Sequence, residues 1–103
     1  MNRSRFFIGQ IVEHQKFGYR GVISGLDPEF CLSDEWYEQV AVSRPPKDQP
    51  WYHVLVDGQL HTTYVAERHL GASEDLTQVD HPYLGEFFSG FDGARYVPKR
   101  TVH

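Results

Sequence analysis

Two strand-like runs near the start of the chain are bent by glycines, and this pattern limits the possible folds more than any other feature. Residues 6–12 and 18–26 are rich in β-branched and aromatic side chains, and Gly9, Gly21 and Gly25 interrupt them. Glycine inside a strand is typical of a bulge or a sharp bend, which a small barrel needs at its corners. The pattern therefore favours a curled β-sheet over a flat sandwich.

The middle of the chain contains a second pair of predicted strands. Residues 51–56 form the clearest strand in the sequence, and the dipeptide Asp57-Gly58 that follows is favoured in two-residue type I′ turns. The return strand is then expected at residues 62–65, and residues 66–70 are expected to close the sheet into a barrel. A longer loop would change the register of this hairpin, and the residues leave the loop length open.

Short helices are expected outside the predicted strands. Ser33 is a predicted N-cap of a helix over residues 33–40, in which Trp36 and Val40 share the face expected to pack on the barrel. The proline-rich connector at residues 44–50 ends that helix. Residues 81–88 predict a short helical turn with a proline at its first position.

The charge balance argues against tight binding to DNA by the chain alone. Ten Lys and Arg face fourteen Asp and Glu, which gives a net charge of −4 with histidine neutral. Proteins that bind duplex DNA usually present a basic face, because neutralisation of phosphates dominates the affinity. A local positive patch is still compatible with this composition.

Cysteine usage and hydropathy indicate the compartment. Cys31 is the only cysteine, so an internal disulfide is impossible, which suits a reducing compartment, and we expect it to be a small buried hydrophobe. The chain shows no secretory signal and no apolar run near the roughly 20 residues that a membrane span requires. We therefore expect a cytoplasmic protein that does not bind membranes.

Six histidines raise the hypothesis of a metal-binding site, but the predicted strands do not support it. With a two-residue turn, His53 and His61 would point to opposite faces of the hairpin and could not share an ion. No tight ligand spacing, no nucleophile motif and no phosphate-binding glycine loop is present. We therefore predict no metal, no cofactor and no catalytic residues.

Four sequence runs, in this order, resemble the HspQ heat-shock protein family, whose domain is also called YccV-like or hemimethylated-DNA-binding. The runs are Ile8-Gly9-Gln10 continuing through His14 and Phe17 to Tyr19-Arg20-Gly21-Val22-Ile23, then Asp27-Pro28, then Gln49-Pro50-Trp51-Tyr52-His53-Val54-Leu55-Val56, and then Tyr64-Val65-Ala66-Glu67. The resemblance implies a mainly β fold, a small SH3-like barrel over residues 6–70. Residues 71–103 would be a linker and a short helical C-terminal extension packed on the same domain. It also implies a cytoplasmic homo-oligomer, with a trimer expected.

The resemblance leads to two functional hypotheses. The first is a non-enzymatic heat-shock protein that binds and modulates the Lon protease in the degradation of denatured or regulatory proteins. Because Tyr, Trp and Arg are frequent interface anchors, its candidate partner-binding residues are taken from the family pattern. These residues are Tyr19, Arg20, Asp27, Trp51, Tyr52, His53, Tyr64 and Glu67.

The alternative hypothesis is a module that binds hemimethylated DNA and acts on regulation of the replication origin. It requires several cations to gather on one face of the protein. The candidates are Arg20, Arg44, Lys47 and Arg68, with Lys99 and Arg100 near the end of the chain.

Overall fold

The computed structural model describes residues 4–99, which form seven strands, two short α-helices and one 3₁₀ turn. The elements are β1 Ile11–His14, β2 Arg20–Asp27, α1 Asp34–Val40, β3 Trp51–Val56, β4 Thr62–Ala66, the 3₁₀ turn Glu67–His69, β5 Leu70–Ala72, α2 Leu84–Phe87, β6 Phe88–Phe91 and β7 Tyr96–Pro98. Arg100 lies outside the described residues. The prediction of a mainly β fold is confirmed.

The first five strands form one antiparallel sheet in the order β4-β3-β2-β1-β5, and β6 pairs with β7 in a separate hairpin. The expectation that residues 66–70 close a barrel is wrong, because residues 67–69 form the 3₁₀ turn and β5 then pairs with β1. Within residues 4–99, β4 and β5 form no ladder with each other, so the sheet is not closed by hydrogen bonds. The SH3-like barrel stays a prediction.

Glycines bend β2 as the sequence predicts. The pairing of β2 with β3 shifts between Ile23 and Gly25, which is a β-bulge. At Gly21 the chain passes so close to β3 that a Cβ atom would lie 2.5 Å from Val54 Cγ1 and 2.6 Å from the Leu55 carbonyl oxygen. Only glycine allows this approach, so these positions set the curvature of the sheet.

The loop length that the sequence leaves open is longer than a two-residue turn at Asp57-Gly58, while the return strand lies where the sequence predicts it. Leu55 pairs with Thr62, so five residues connect β3 to β4. Tertiary contacts hold the longer loop: Asp57 Oδ2 accepts a hydrogen bond from Arg20, and its Oδ1 accepts one from the backbone N–H of Asp80. A local turn preference is therefore overridden by contacts with the C-terminal segment.

The curled sheet has an inner and an outer face, and both are buried. Inside lies an apolar cluster that includes Val12, Ile23, Tyr52, Val54, Val65 and Leu70. The outer face is covered in two places. One cluster joins Trp51 and Ala66 to α1, and another joins Ile11, Val22 and Leu55 to Val79, Phe88 and Tyr96 of the C-terminal segment.

The helices follow the sequence prediction only in part. Ser33 caps α1 by accepting a hydrogen bond from the Trp36 N–H, as predicted. Of the predicted packing face, Trp36 packs against Trp51 and Tyr64 as expected, but Val40 is exposed. The buried side of α1 is formed by Tyr37 and by Ala41 directly after the helix. In the last helix Tyr83 is the N-cap, so the proline before it is not the first helical residue. None of the helices within residues 4–99 has the length and apolar character of a membrane span.

Candidate binding groove

The main concavity of the described chain is an open groove of about 580 Å³. One wall comes from the turn between β1 and β2, and the other comes from α1 and the segment that follows it. The groove is lined by His14, Lys16, Phe17, Tyr19, Leu32, Trp36, residues 40–43, Pro45, Trp51, His53, residues 62–66 and His69. Most of these side chains are apolar or aromatic, which is typical of a binding groove.

All five residues of β4 line this groove. Successive side chains of a strand point to opposite faces of the sheet, so a groove on one face would be lined by alternate residues only. The lining therefore shows that the groove runs along the edge of β4. It occupies the side on which a closed barrel would continue.

Stacked aromatic rings form the floor of the groove near α1. The ring centroids of Trp51 and Tyr64 lie 5.2 Å apart with planes 25° from parallel, and Trp36 meets Tyr64 edge to face at 5.7 Å. His53 lies 4.6 Å from the Tyr64 ring. These contacts pack the rings against one another and leave the side chains of Trp36 and His53 partly exposed.

Asp27 fixes this aromatic floor from behind. Its Oδ2 accepts a hydrogen bond of 2.7 Å from the Tyr64 hydroxyl and one of 3.3 Å from His53 Nε2. The Tyr64 hydroxyl in turn accepts a hydrogen bond from the Cys31 N–H. Cys31 is exposed, so the expectation that it is a small buried hydrophobe is wrong. Burial, together with the hydrogen bond to Asp27, raises the pKa of Tyr64, so its hydroxyl stays protonated and donates.

Two histidines and a phenylalanine stack at the other end of the groove. The His14 ring lies 4.6 Å from Phe17 and 5.7 Å from His69. His14 Nδ1 accepts hydrogen bonds from the N–H groups of Lys16 and Phe17, so Nε2 carries the proton of the neutral ring. Burial, and then the charges of His69 and Lys16, lower the pKa of His14.

His69 is held in place by a contact with the segment that follows α1. Its Nε2 lies 2.9 Å from Ser43 Oγ, which ties the 3₁₀ turn to the segment after α1. Burial, and then the charges of Arg68 and Lys16, lower the pKa of His69. The two rings are therefore neutral near pH 7, and this end of the groove carries the positive charge of Lys16 without an opposing carboxylate in the groove lining within residues 4–99.

The structure divides the predicted partner-binding residues into two sets. Tyr19, Trp51, His53 and Tyr64 line the groove, and Asp27 holds two of them in place. Arg20, Tyr52 and Glu67 lie elsewhere and connect parts of the fold.

Arg20 anchors the C-terminal segment to the sheet. Its guanidinium donates hydrogen bonds to the carbonyl oxygens of Asp75, Thr77 and Gln78 and forms an ion pair of 3.0 Å with Asp57. The side chain is largely buried and fully engaged by these partners. These contacts assign Arg20 a structural role, which accounts for its match to the family pattern.

Tyr52 and Glu67 form a buried clamp at the N-terminal end of the described chain. The Tyr52 hydroxyl donates a hydrogen bond of 2.6 Å to Glu67 and accepts one from the Phe6 N–H. Glu67 also accepts a hydrogen bond from the Arg5 N–H. These contacts hold residues 5 and 6 against the sheet.

Three of the predicted DNA-contact residues, Arg44, Lys47 and Arg68, gather around the connector between α1 and β3. Arg68 donates to the Ser43 carbonyl oxygen, while the Arg44 and Lys47 cations lie 5.7 and 4.4 Å from the Tyr37 ring centroid. Arg44 and Lys47 also form ion pairs with Glu38 and Asp34 on α1. Arg20 lies apart from this group, in contact with the C-terminal segment.

Sequence reasoning missed the apolar walls of the groove. Phe17 is 70%, Val42 is 77% and Val40 is 55% exposed. Their exposure depends on tertiary packing that no short pattern reports, although the shared face of Trp36 and Val40 gave a partial signal. Within residues 4–99 the structure brings no three His, Cys, Asp or Glu side chains together as metal ligands.

The chain is similar to a described protein family and to segments of several known proteins. Residues 4–95 match the family described as "Hemimethylated DNA-binding protein YccV like". The chain is 36% identical over 100 residues to "F-box only protein 21" of Homo sapiens and of Pongo abelii, and 35% identical to that of Mus musculus. The aligned stretch covers 94% of this chain but only 16% of each relative, so the similarity is to one segment of a longer protein.

Proposed function

Because the chain belongs to the YccV-like family, which residues 4–95 match, we propose that it is a non-catalytic binding module whose ligand is hemimethylated DNA. The observation that carries this proposal is the gathering of Arg44, Lys47 and Arg68 around one connector. Cations placed close together contact successive phosphates of a duplex, and they position the protein without reading sequence.

Recognition of a methyl group needs an apolar contact beside the phosphate contacts. Val42 directly precedes Ser43 and Arg44 and is 77% exposed, so its side chain is free to meet a methyl group in a groove of DNA. The ion pairs of Arg44 with Glu38 and of Lys47 with Asp34 must be weakened when phosphates bind. Together with the net charge of −4, they limit the affinity and make it strongly dependent on salt.

The test uses fluorescence anisotropy with one duplex in unmethylated, hemimethylated and fully methylated forms. With three phosphate contacts, log K is expected to fall with log salt at a slope of about −2.7, or about 40-fold between 50 and 200 mM. Arg68→Gln should lower that slope by about one, whereas Arg95→Gln, on the turn between β6 and β7, should leave it unchanged. Equal affinity for the three duplexes, or no binding at 50 mM salt, would refute the proposal.

A second candidate function is modulation of the Lon protease in the degradation of denatured or regulatory proteins. Two observations favour a protein ligand: the apolar groove along β4 and the acidic net charge. Addition of the chain to purified Lon and an unfolded substrate should change the degradation rate, and Val40→Asp in the groove wall should reduce that change. An unchanged rate across several substrates would exclude this candidate. Heat induction, trimeric assembly and a cytoplasmic location stay predictions.

A further inference from the structure

Strand β4 is an edge of the sheet with an open side. It pairs with β3 along its whole length, and no other strand within residues 4–99 pairs with it. In an antiparallel pair, alternate residues direct their N–H and C=O groups away from the partner strand. No backbone group of residues 4–99 bonds to the outer side of β4, and at Thr62, Thr63 and Tyr64, which are not buried, these groups face the groove.

The groove has the shape that an added strand requires. Thr62 is exposed and Thr63 and Tyr64 are partly exposed, whereas Val65 and Ala66 are buried, so the accessible edge is three residues, or about 10 Å, long. A row of outward N–H and C=O groups at this spacing is matched by another extended backbone, which is why open edges recruit peptide strands. The edge itself thus specifies an extended polypeptide as the occupant.

The walls of the groove specify the side chains of that occupant. Phe17 stands on one side and Trp36 and Val40 stand on the other, and all three offer exposed apolar surface. Lys16 is the one Lys or Arg of the groove lining within residues 4–99, and that lining contains no carboxylate. An apolar segment with an acidic residue at the Lys16 end complements these features.

We infer that the edge of β4 binds an extended apolar polypeptide segment as an additional strand, with an acidic residue of that segment beside Lys16. The inference rests on the second candidate function, since it names the chemistry of the protein ligand. It needs no contact with DNA. Arg44, Lys47 and Arg68 do not line the groove, and Val42 is the residue shared with the proposed DNA surface, so the two sites are separated by variants at residues other than Val42.

The experiment measures binding of a fluorescein-labelled synthetic peptide to the full chain. The peptide consists of eight residues that alternate valine and threonine, followed by two aspartates. Its matched control is the same sequence with alternate backbone amides methylated, which removes N–H donors while keeping the side chains. Binding of the first peptide, with a Kd raised at least tenfold for the second, is the expected result. The amides of β4 should become protected from hydrogen exchange on binding.

Variants of the chain locate the site. Val40→Asp should raise the Kd about tenfold or more, whereas Val97→Asp, an exposed valine on β7, should leave it unchanged. Lys16→Glu should weaken the aspartate peptide more than its asparagine counterpart. If Val40→Asp does not fold by circular dichroism, Phe17→Ser replaces it, because that side chain is largely exposed.

Several outcomes would overturn the inference. These are absence of peptide binding up to millimolar concentration by a folded chain, equal affinity for the methylated peptide, and protection confined to amides outside β4. Self-association through β4, seen as a dimer by sedimentation that Val40→Asp abolishes and that excludes the peptide, would assign the edge to a second copy and reject the peptide. A change of Lon activity without peptide binding would retain the second candidate function while rejecting this site.

Discussion

Two glycines of β2 allow a direct test of the close approach between β2 and β3, because the same substitution should have different effects at them. A Cβ atom at Gly21 would meet Val54 Cγ1 at 2.5 Å and the Leu55 carbonyl oxygen at 2.6 Å. Both atoms belong to fully buried residues of β3, which have no room to move. At Gly25 the nearest atom is His53 Cδ2 at 2.9 Å, on a side chain that is 42% exposed and can swing outward.

The expected free energies follow from these contacts. Overpacking of a rigid core costs about 1–3 kcal/mol and occasionally more, while replacing glycine by alanine returns about 0.4–1 kcal/mol by restricting the unfolded chain. Gly21→Ala should therefore lower the free energy of unfolding by about 2 kcal/mol or more. Gly25→Ala should stay within about 1 kcal/mol of the wild type, since rotation of the His53 ring relieves the contact.

The assay is urea unfolding at pH 7, followed by tryptophan fluorescence and by circular dichroism. A loss of about 2 kcal/mol corresponds to a decrease of roughly 8–16 °C in Tm for a domain of this size. The m-values of the two variants should agree with the wild type, so that the midpoints report stability alone. Equal destabilisation by the two substitutions, or a larger effect at Gly25, would refute the close approach on which the curvature of the sheet depends.

Further predictions concern the buried polar contacts. Arg20→Met removes a side chain that binds Asp57 and the carbonyl oxygens of residues 75–78, so it should lower the free energy of unfolding by about 2–3 kcal/mol and speed amide exchange in residues 75–78. The control Arg95→Met removes only an exposed ion pair and should lower it by less than about 0.5 kcal/mol. Tyr52→Phe leaves a buried N–H without its acceptor and should cost about 1–3 kcal/mol in urea unfolding, more than Tyr64→Phe in the partly exposed groove. Folding lowers the pKa of His14, so the unfolded chain binds more protons than the folded chain as the pH falls below 7. The free energy of unfolding should therefore fall as the pH decreases from 7.5 to 5.5, and His14→Gln should reduce this dependence. A free energy of unfolding that rises as the pH decreases would contradict the assigned burial of His14.

The sequence predicts the local elements of this fold better than it predicts their connections. The strand at residues 51–56, the bulge at Gly25 and the Ser33 cap each depend on a few neighbouring residues, and all three are confirmed. The turn after β3 depends on Asp57, whose carboxylate binds Arg20 and the Asp80 N–H. Those partners are distant in sequence, so the preference of Asp-Gly for a tight turn could not fix the loop length.

The residues of the candidate site, too, could be predicted from the sequence only in part. The family pattern predicted three residues of the groove, Tyr19, His53 and Tyr64. It could not distinguish them from Arg20 and Tyr52, which stabilise the fold. Separation requires knowledge of each side chain's hydrogen-bond partners. Aromatic and charged residues match a family pattern equally well when they bind a ligand and when they join distant segments.

The observed register of β3 and β4 also determines what the groove can do. In the five-residue connection His53 pairs with Tyr64, so both rings lie on the same face and share Asp27. A two-residue turn would have placed His61 opposite Val54 and moved Tyr64 out of register with His53. Tyr64 would then lie opposite Trp51, and the pair of His53 and Tyr64 that shares Asp27 would be broken. The contacts of Arg20 and Asp57, remote from the groove, therefore set its chemistry, and Arg20→Met should weaken ligand binding at β4 as well as stability.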